Sequence, residues 1–299
     1  MSFSLQRRRL LLAALLTPLA SGFFSRLARA DSATLAQQLA GLERQANGRI
    51  GLALLDGDGC LLHYRGEERF PLCSTFKVLA VAAILQRAQP DLLQKRLYWR
   101  REEELAWMPV TAGHREEGMT VEALCAAALR YSDNLAANLL LKELGGPAGL
   151  TRFLREGGDG ITRLDRNEPT LNSAIPGDPR DSSTPLQMAH NLRQLTLGDG
   201  KAQGMILSAA RRQQLNEWLK GNTTGKKAIA AATPAGWIVG DKTGSGDYGT
   251  TNDVAAIWRP AASPLVLAVY FTQHEKAAKS RQEVLAQAAS IALTALKPA

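Results

Sequence analysis

Apolar and polar positions along the chain follow several rhythms, and each predicts its own kind of element. Leu10 to Ala20 is a short, almost continuously apolar run. Residues 32–47 carry the three-to-four spacing of an amphipathic helix. "RIGLALLDGDG" at 49–59 reads as a strand ending in a Gly/Asp turn, and "CLLHYRG" after it as the second strand of a hairpin. Residues 73–88 are apolar almost throughout and predict a buried helix, with a restart at Pro90-Asp91. "MTVEALCAAALRYSDNLAANLLLKELGG" reads as helix, short break, helix, with Thr120 as N-cap and Gly145-Gly146 as the stop. "GPAGLTRFLREGG" is a further helix with Pro147 in its first turn. Thr184 and Pro185 open another, and residues 209–219 form one more. The pattern then changes. "GWIVGDKTG", "NDVAAIWRP" and "PLVLAVYFTQ" are strand-like runs separated by turn residues, and 279–296 closes the chain as an amphipathic helix.

Strands and helices at both ends thus bracket an all-helical middle. The predicted architecture is an α/β domain built from 31–70 and 221–299, with a helical domain, 71–220, inserted between them. Residues 163–181, "RLDRNEPTLNSAIPGDPRD", interrupt the helical pattern with three prolines, a glycine and seven charges. Leu171 and Ile175 within it predict a packed Ω-type loop.

The N-terminus changes the reading of charge. Arg7, Arg8 and Arg9 precede the apolar run, and Ala28-Arg29-Ala30 gives it a small-x-small ending, so 1–30 is predicted to be a secretory signal with the mature chain starting at Asp31. Thr17 and Pro18 break the apolar run, which is short for a bilayer span. The arginines before it also fit a twin-arginine export signal. This segment holds five arginines and no acids, so the formal net charge of +8 falls to +3 over the rest. No basic run survives, which argues against a nucleic-acid partner. Export points to a periplasmic protein with no stable membrane partner. Cys60, Cys73 and Cys125 are too few for a disulfide scaffold, and Cys73 has the apolar neighbours of a buried thiol. The four histidines are scattered, so no metal is expected, and no motif calls for a cofactor.

Candidate chemistry begins at "PLCSTFKVLA", where Ser74 stands at the border of the buried helix and Lys77 one turn inside it. The two share a helix face, and the first turn favours developing negative charge. A lysine in apolar surroundings is either paired or shifted down in pKa. Serine beside an amine is an activated-nucleophile arrangement, although Ser74 could equally cap the helix while Lys77 snorkels. "YSDN" adds Ser132, Asp133 and Asn134 at the break between two helices, and "DKTGSG" adds Lys242, Thr243 and Gly244 at a strand end. Each is weak alone; together, in this order, they are the signature of penicillin-recognising serine enzymes.

Over essentially the whole mature sequence the chain resembles a class A β-lactamase. "KTGSGDYGTTND", "GNTTG" and "EPTLN" resemble the cefotaxime-hydrolysing CTX-M-type and related environmental branch. The resemblance implies a five-stranded antiparallel sheet flanked by helices, with an inserted helical domain. It implies a monomer that opens the ring of penicillins and cephalosporins through an acyl-enzyme on Ser74. By the same resemblance Ser74 and Ser245 supply the oxyanion-hole N–H groups, and Lys77 or Glu168 takes the serine proton. Ser132 passes a proton to the leaving nitrogen, and Glu168 with Asn172 activates the deacylating water. Asn134 contacts the substrate amide, Lys242, Thr243, Gly244 and Ser245 its carboxylate, and Trp107 lines the entrance.

Some of these residues also have plain structural readings: Asn134 as a cap, Thr243 and Ser245 as strand and turn, Trp107 as packing. Asp133 reads as a structural hydrogen-bonder. Arg163 with Asp165, and Arg166 with Asp181, read as ion pairs pinning the loop. The arginine that many relatives carry opposite the substrate carboxylate is replaced by Thr251 and Ala228 at its two usual places; Arg281 resembles its substitute, or is an ordinary surface charge. The partners of the two family disulfides are Gly246, for Cys73, and Val81, for Cys125, so neither can form. A D,D-peptidase would lack the Glu168–Asn172 pair, and a β-lactam sensor would be expected to carry a membrane tether.

Overall fold

The computed structural model describes residues 19–87, 90–198 and 207–296. The basic start of the predicted signal and its apolar run through Pro18 lie outside the described residues. Helix α1 (Leu19–Ala46) leads into the hairpin of β1 (Gly48–Leu55) and β2 (Cys60–Tyr64). The Asp56 side chain closes its turn by accepting the N–H groups of Asp58 and Gly59 at 2.9 and 3.0 Å. Two-residue strands β3 (Phe70–Pro71), β4 (Arg96–Leu97), β5 (Met119–Thr120) and β6 (Ser182–Ser183) form the small ladders β3–β6 and β4–β5. The middle of the chain is helical: α2 (Phe76–Arg87), α3 (Pro90–Gln94), α4 (Val121–Arg130), α5 (Asn134–Leu144), α6 (Gly146–Glu156), α7 (Pro185–Thr196) and α8 (Ala209–Lys220). A turn of helix, α9 (Ile229–Ala232), precedes β7 (Ile238–Ser245), β8 (Thr251–Trp258), β9 (Leu265–Gln273) and α10 (Gln282–Thr294).

The five long strands form one antiparallel sheet in the order β2-β1-β9-β8-β7. The first and last parts of the chain therefore meet at β1–β9, as the bracketing pattern predicts. Side chains alternate across the sheet with period two. One face buries Leu52, Leu54, Leu267 and Val269 against Leu35 and Leu39 of α1 and Leu285 and Ala288 of α10. The other buries Leu55, Val254, Val266 and Ala268 in a core continuous with the helices α2, α4, α5 and α6.

Helix α2 runs through the middle of that second core, with Phe76 to Leu85 buried on every side, as expected of a helix apolar all round but for Lys77. The predicted caps form: Thr120 accepts the Ala123 N–H at 3.2 Å and Thr184 that of Gln187 at 3.1 Å, each worth about 1 kcal/mol. The structure departs from the predicted bounds at both ends of the molecule. The first helix starts at Leu19 and not at 32, so the expected Ala30–Asp31 junction falls inside it, and the last starts at Gln282 and not at 279. In the 163–181 loop Leu171 is buried as expected, but Ile175 is 45% exposed and does not anchor it. Among the described residues no helix is long and apolar enough to cross a membrane.

Candidate active site

Ser74 does not sit in the α-helix itself. Cys73–Thr75 form a single 3-10 turn, and α2 begins at Phe76. Cys73 holds a left-handed φ of 44°, a conformation that persists only where the surroundings over-determine it. Here they do. The Leu72 N–H donates to the Asp181 carbonyl at 2.8 Å, the Leu72 carbonyl accepts from Asn252 at 3.1 Å, and Thr75 Oγ1 donates to that same carbonyl at 2.7 Å. Strand β7 runs against this turn: a Cβ on Gly244 would stand 2.9 Å from Leu72 O and 3.2 Å from Ser74 N. Gly244 is what lets the strand come so close. β7 is also an edge strand, so its outer N–H and C=O groups face the serine turn with no further strand on that side.

Lys77 is wholly buried and does not snorkel. Its ammonium faces five oxygens. Nζ donates to Ser74 Oγ at 2.8 Å, Asn134 Oδ1 at 2.6 Å, Ser132 O at 2.9 Å and Ser132 Oγ at 3.3 Å, and pairs with Glu168 Oε1 at 3.0 Å. That is why a lysine can open a buried helix: its charge is met inside the protein. Burial pulls its pKa below the ordinary lysine value, and the Glu168 charge opposes that pull.

A second buried lysine faces the first across Ser132. Lys242 Nζ donates to Ser132 Oγ at 3.0 Å and to the Thr243 carbonyl at 2.8 Å. Burial first, and then the Lys77 charge, lower it from 10.5 to about 7. Ser132 has a left-handed φ of 58°, which turns both its hydroxyl and its carbonyl toward the lysines. Asp133 is structural, as its position predicts. It caps α5 through Ala136 N at 2.9 Å and accepts the Val110 and Thr111 N–H groups at 3.0 and 2.9 Å.

Glu168 is 4% exposed. It accepts from Ser74 Oγ at 3.0 Å through Oε1 and from Asn172 Nδ2 at 2.5 Å through Oε2. Its peptide bond to Pro169 is cis. The backbone is fixed by Asn138, which the sequence reading missed: Oδ1 accepts from Glu168 N and Nδ2 donates to Glu168 O, both at 2.9 Å. The signal was available. Asn134 and Asn138 are i and i+4 in the otherwise apolar first two turns of α5, so both face one way. The loop is pinned as predicted, by Arg163–Asp165 at 2.5 Å and Arg166–Asp181 at 2.6 Å. Asp181 further accepts the N–H groups of Asp165 and Arg166 at 2.7 and 2.9 Å.

Around this cluster, Trp107 is 55% exposed. Its indole N–H donates to the Tyr131 carbonyl at 3.2 Å, and its own carbonyl accepts the Asn134 N–H at 3.0 Å. Thr243 Oγ1 lies 2.5 Å from Thr224 Oγ1, and Ser245 is exposed at the end of β7. Arg281 stands apart. Its guanidinium donates to Glu283 at 2.8 Å and to the Ala46 carbonyl at 3.2 Å, and only its backbone N–H turns inward, to Thr251 Oγ1 at 2.9 Å. The neighbouring Gln282, also missed, reaches the site side, donating to Thr224 O at 2.9 Å. Arg281 occupies the N-cap with φ −134° and ψ 80°, so helical spacing does not govern where its side chain goes.

All three cysteines are free; Cys73 and Cys125 are buried and Cys60 is exposed. A Cβ on Gly246 would lie 2.8 Å from Cys73 Sγ, so the glycine leaves just enough room for the thiol. Among the described residues no group of three His, Cys, Asp or Glu is placed to hold a metal ion.

A serine hydroxyl flanked by a donor lysine and an acceptor carboxylate is equipped for acyl transfer. Comparison with known proteins agrees. A family model described as the β-lactamase enzyme family matches residues 34–296. The chain is 51% identical to β-lactamase OXY-1 of Klebsiella oxytoca over 288 residues, 95% of this chain and 96% of that one. It is 52% identical to β-lactamase CTX-M-8 of Citrobacter amalonaticus, over 85% and 87% of the two chains. Among solved structures, a β-lactamase from Desulfarculus baarsii superimposes with a TM-score of 0.84 at 48% identity, covering 90% of this chain and 99% of that one. A class A enzyme reconstructed as the last common ancestor of Gram-negative bacteria gives 0.83 at 52% identity, over 88% and 99%. The chain therefore belongs to the β-lactamase enzyme family, as a class A member that hydrolyses β-lactams.

Proposed function

We propose that Ser74 is the nucleophile of a two-step hydrolysis, and that Glu168 directs the water that completes it. The observation that carries this is the pair of contacts on Ser74 Oγ, which accepts from Lys77 and donates to Glu168. In that pattern the serine proton points at the carboxylate, and the Lys77 charge favours the emerging alkoxide. Oγ attacks the β-lactam carbonyl and its proton goes to Glu168. The oxyanion is held by the backbone N–H groups of Ser74 and Ser245; losing one such donor lowers rate about 100- to 1000-fold. As the C–N bond breaks, Ser132 Oγ gives its proton to the ring nitrogen and is recharged from the lysines on either side.

Deacylation reuses the carboxylate. Asn172 donates to Glu168, while its own buried Oδ1 finds no donor among the described residues. Glu168 first passes the serine proton to Lys77, 3.0 Å away, which replaces the one given up through Ser132. A water donating to Glu168 and to Asn172 Oδ1 then attacks the ester carbon, giving Glu168 a proton that goes on to Ser74 Oγ as the ester C–O bond breaks. General-base assistance of this kind supplies roughly 100- to 10,000-fold.

The substrate carboxylate is received by Lys242, Thr243 and Ser245, with Gly244 letting the strand approach. Asn134 takes the side-chain amide, and Trp107 borders the entrance. The substrates are penicillins and cephalosporins, with extended-spectrum cephalosporins suggested by the likeness to a CTX-M enzyme, and the outcome for the cell is antibiotic resistance. The protein works as a periplasmic monomer after removal of 1–30. It is divided into the α/β domain 31–70 with 221–299 and the helical domain 71–220, the site lying along their seam. Peptide mapping after rapid quenching tests the nucleophile. The wild type should give a penicilloyl adduct on the Ser74 peptide and Ser74→Ala none; an adduct elsewhere, or turnover by Ser74→Ala, overturns it.

A further inference from the structure

Behind β7, on the face away from Lys77, lies a buried polar network that the proposed chemistry does not use. In the β7–β8 ladder Thr243 is opposite Asp253, and Asp241 opposite Ala255. Alternation therefore puts the side chains of Asp241, Thr243 and Asp253 on one face, with Lys242 on the other. Asp253 is wholly buried and Asp241 is 5% exposed, and the two carboxyls are in hydrogen-bonding contact. Asp253 Oδ2 accepts the Ile229 N–H at 3.0 Å, whereas Oδ1 has no donor among the described residues. Asp241 Oδ2 accepts from Asn222 Nδ2 at 2.6 Å. Asn222 Oδ1 then accepts the Thr224 N–H at 3.0 Å and its hydroxyl at 2.8 Å, and that hydroxyl touches Thr243 Oγ1 at 2.5 Å. The turn that carries Asn222 can close on the carboxyl only because residue 225 is glycine: a Cβ there would overlap Asp241 Oδ2 at 1.7 Å.

We infer that Asp253 and Asp241 share one proton, held by Asp253 and donated to Asp241, and that this pair positions Thr243 for the substrate carboxylate through Asn222 and Thr224. Two ionised carboxylates cannot share a dry site. A proton on Asp253 Oδ1 turns that donor-less oxygen into the donor Asp241 needs. Burial pushes both carboxyls up, and the Asp241 charge pushes Asp253 further. The pair then carries a single negative charge, which is balanced from across the strand by Lys242. Asp241 keeps its lone pairs for Asn222, and the amide is fixed with its oxygen toward Thr224. With Asn222 Oδ1 taking the Thr224 hydroxyl proton, Thr224 Oγ accepts from Thr243 or leaves that hydroxyl free to turn to the substrate. Asp241 and Asp253 are thus positioning residues, and the inference rests on the proposed role of Thr243.

The test uses the full-length enzyme, Asp253→Asn and Asp253→Ala. Asn mimics a protonated carboxyl and keeps a donor toward Asp241, so Asp253→Asn should restore what Asp253→Ala loses. Infrared spectroscopy of the wild type at neutral pH should show a protonated-carboxyl C=O stretch that is missing from Asp253→Asn. Asp253→Ala should raise KM for a penicillin about tenfold with kcat within about twofold, while Asp253→Asn keeps KM within about twofold. A missing band, equal defects in both variants, or a fall in kcat matching the rise in KM would overturn the inference. Thr243→Ala is measured alongside. If it leaves KM unmoved, the carboxylate reading of Thr243 fails; if it raises KM while Asp253→Ala does not, only the positioning role fails.

Discussion

Lys77 and Glu168 form an ion pair 3.0 Å apart in which neither side chain is exposed to solvent. Such a pair is weak evidence of stabilisation, because both ions lose their hydration. Its position is the informative part. Ser74 Oγ bonds to both partners, so the same desolvation that makes the pair expensive sharpens the field at the proposed nucleophile.

On the proposed mechanism, removing the lysine acts on the first chemical step. Lys77→Ala should lower the acylation rate about 100- to 10,000-fold. Stopped-flow single-turnover kinetics with a chromogenic cephalosporin read this directly. Acylation within tenfold of wild type would exclude Lys77 from that step.

If Lys242 receives the substrate carboxylate as proposed, it gives the enzyme an alkaline limit. Held at about 7 by burial and by Lys77, it loses its charge as pH rises above that value, and with it the proposed attraction for a substrate carboxylate. kcat/KM should fall on the alkaline side, while Lys242→Arg, which stays charged, should flatten that limb. Stability runs the opposite way. The folded lysine titrates below the unfolded one, so the unfolded chain binds more protons between about 7 and 10.5, and Lys242's contribution to stability rises with pH through that window. Urea midpoints of wild type and Lys242→Met at pH 7 and 9 separate this contribution from the rest.

On the proposed mechanism the loop clamp controls the second step. Asp181 is 1% exposed and takes two backbone N–H groups as well as Arg166. Asp181→Asn should cost about 1.5–3 kcal/mol and slow deacylation more than acylation, because Glu168 and Asn172 ride on the loop. Thermal melts together with pre-steady-state bursts check both halves.

Arg281 and Gln282 make a paired prediction. The Arg281 guanidinium faces Glu283 and Ala46, so Arg281→Ala should change kcat/KM by no more than about twofold, as for surface charges away from such features. Gln282→Ala removes the bond to Thr224 beside Thr243 and should raise KM several-fold, on the order of one lost hydrogen bond. The reverse ranking would restore Arg281 to the substrate pocket.

What could be read in the sequence follows from how each group is held. Strands, helices and caps follow local rules, and the bracketing pattern implied that the two ends share a sheet. Lys77 drew attention to Ser74 because a charged residue violates an apolar run, but only the motifs around Ser132 and Lys242 turned the pair into a candidate site. Glu168 was legible only through resemblance, since no periodicity governs a loop held by Arg166–Asp181 and Asn138. Arg281 was read by resemblance, with an ordinary surface charge as the alternative, and its guanidinium lies toward Glu283 and the Ala46 carbonyl, a direction that a motif does not give. Asp253, a lone acid inside "TNDVAAIW", carried a sign of buried chemistry, but its partner Asp241 becomes visible only once β7 and β8 are in register.

Intact-protein mass spectrometry on the wild type and Glu168→Ala, sampled from seconds to minutes with a penicillin and with cefotaxime, tests the central claim most directly. The account predicts turnover without a lasting adduct in the wild type, and one equivalent retained on Ser74 in the variant, with deacylation slowed further than acylation. A wild type that itself stays acylated, or a Glu168→Ala enzyme that releases product at the wild-type rate, would contradict it.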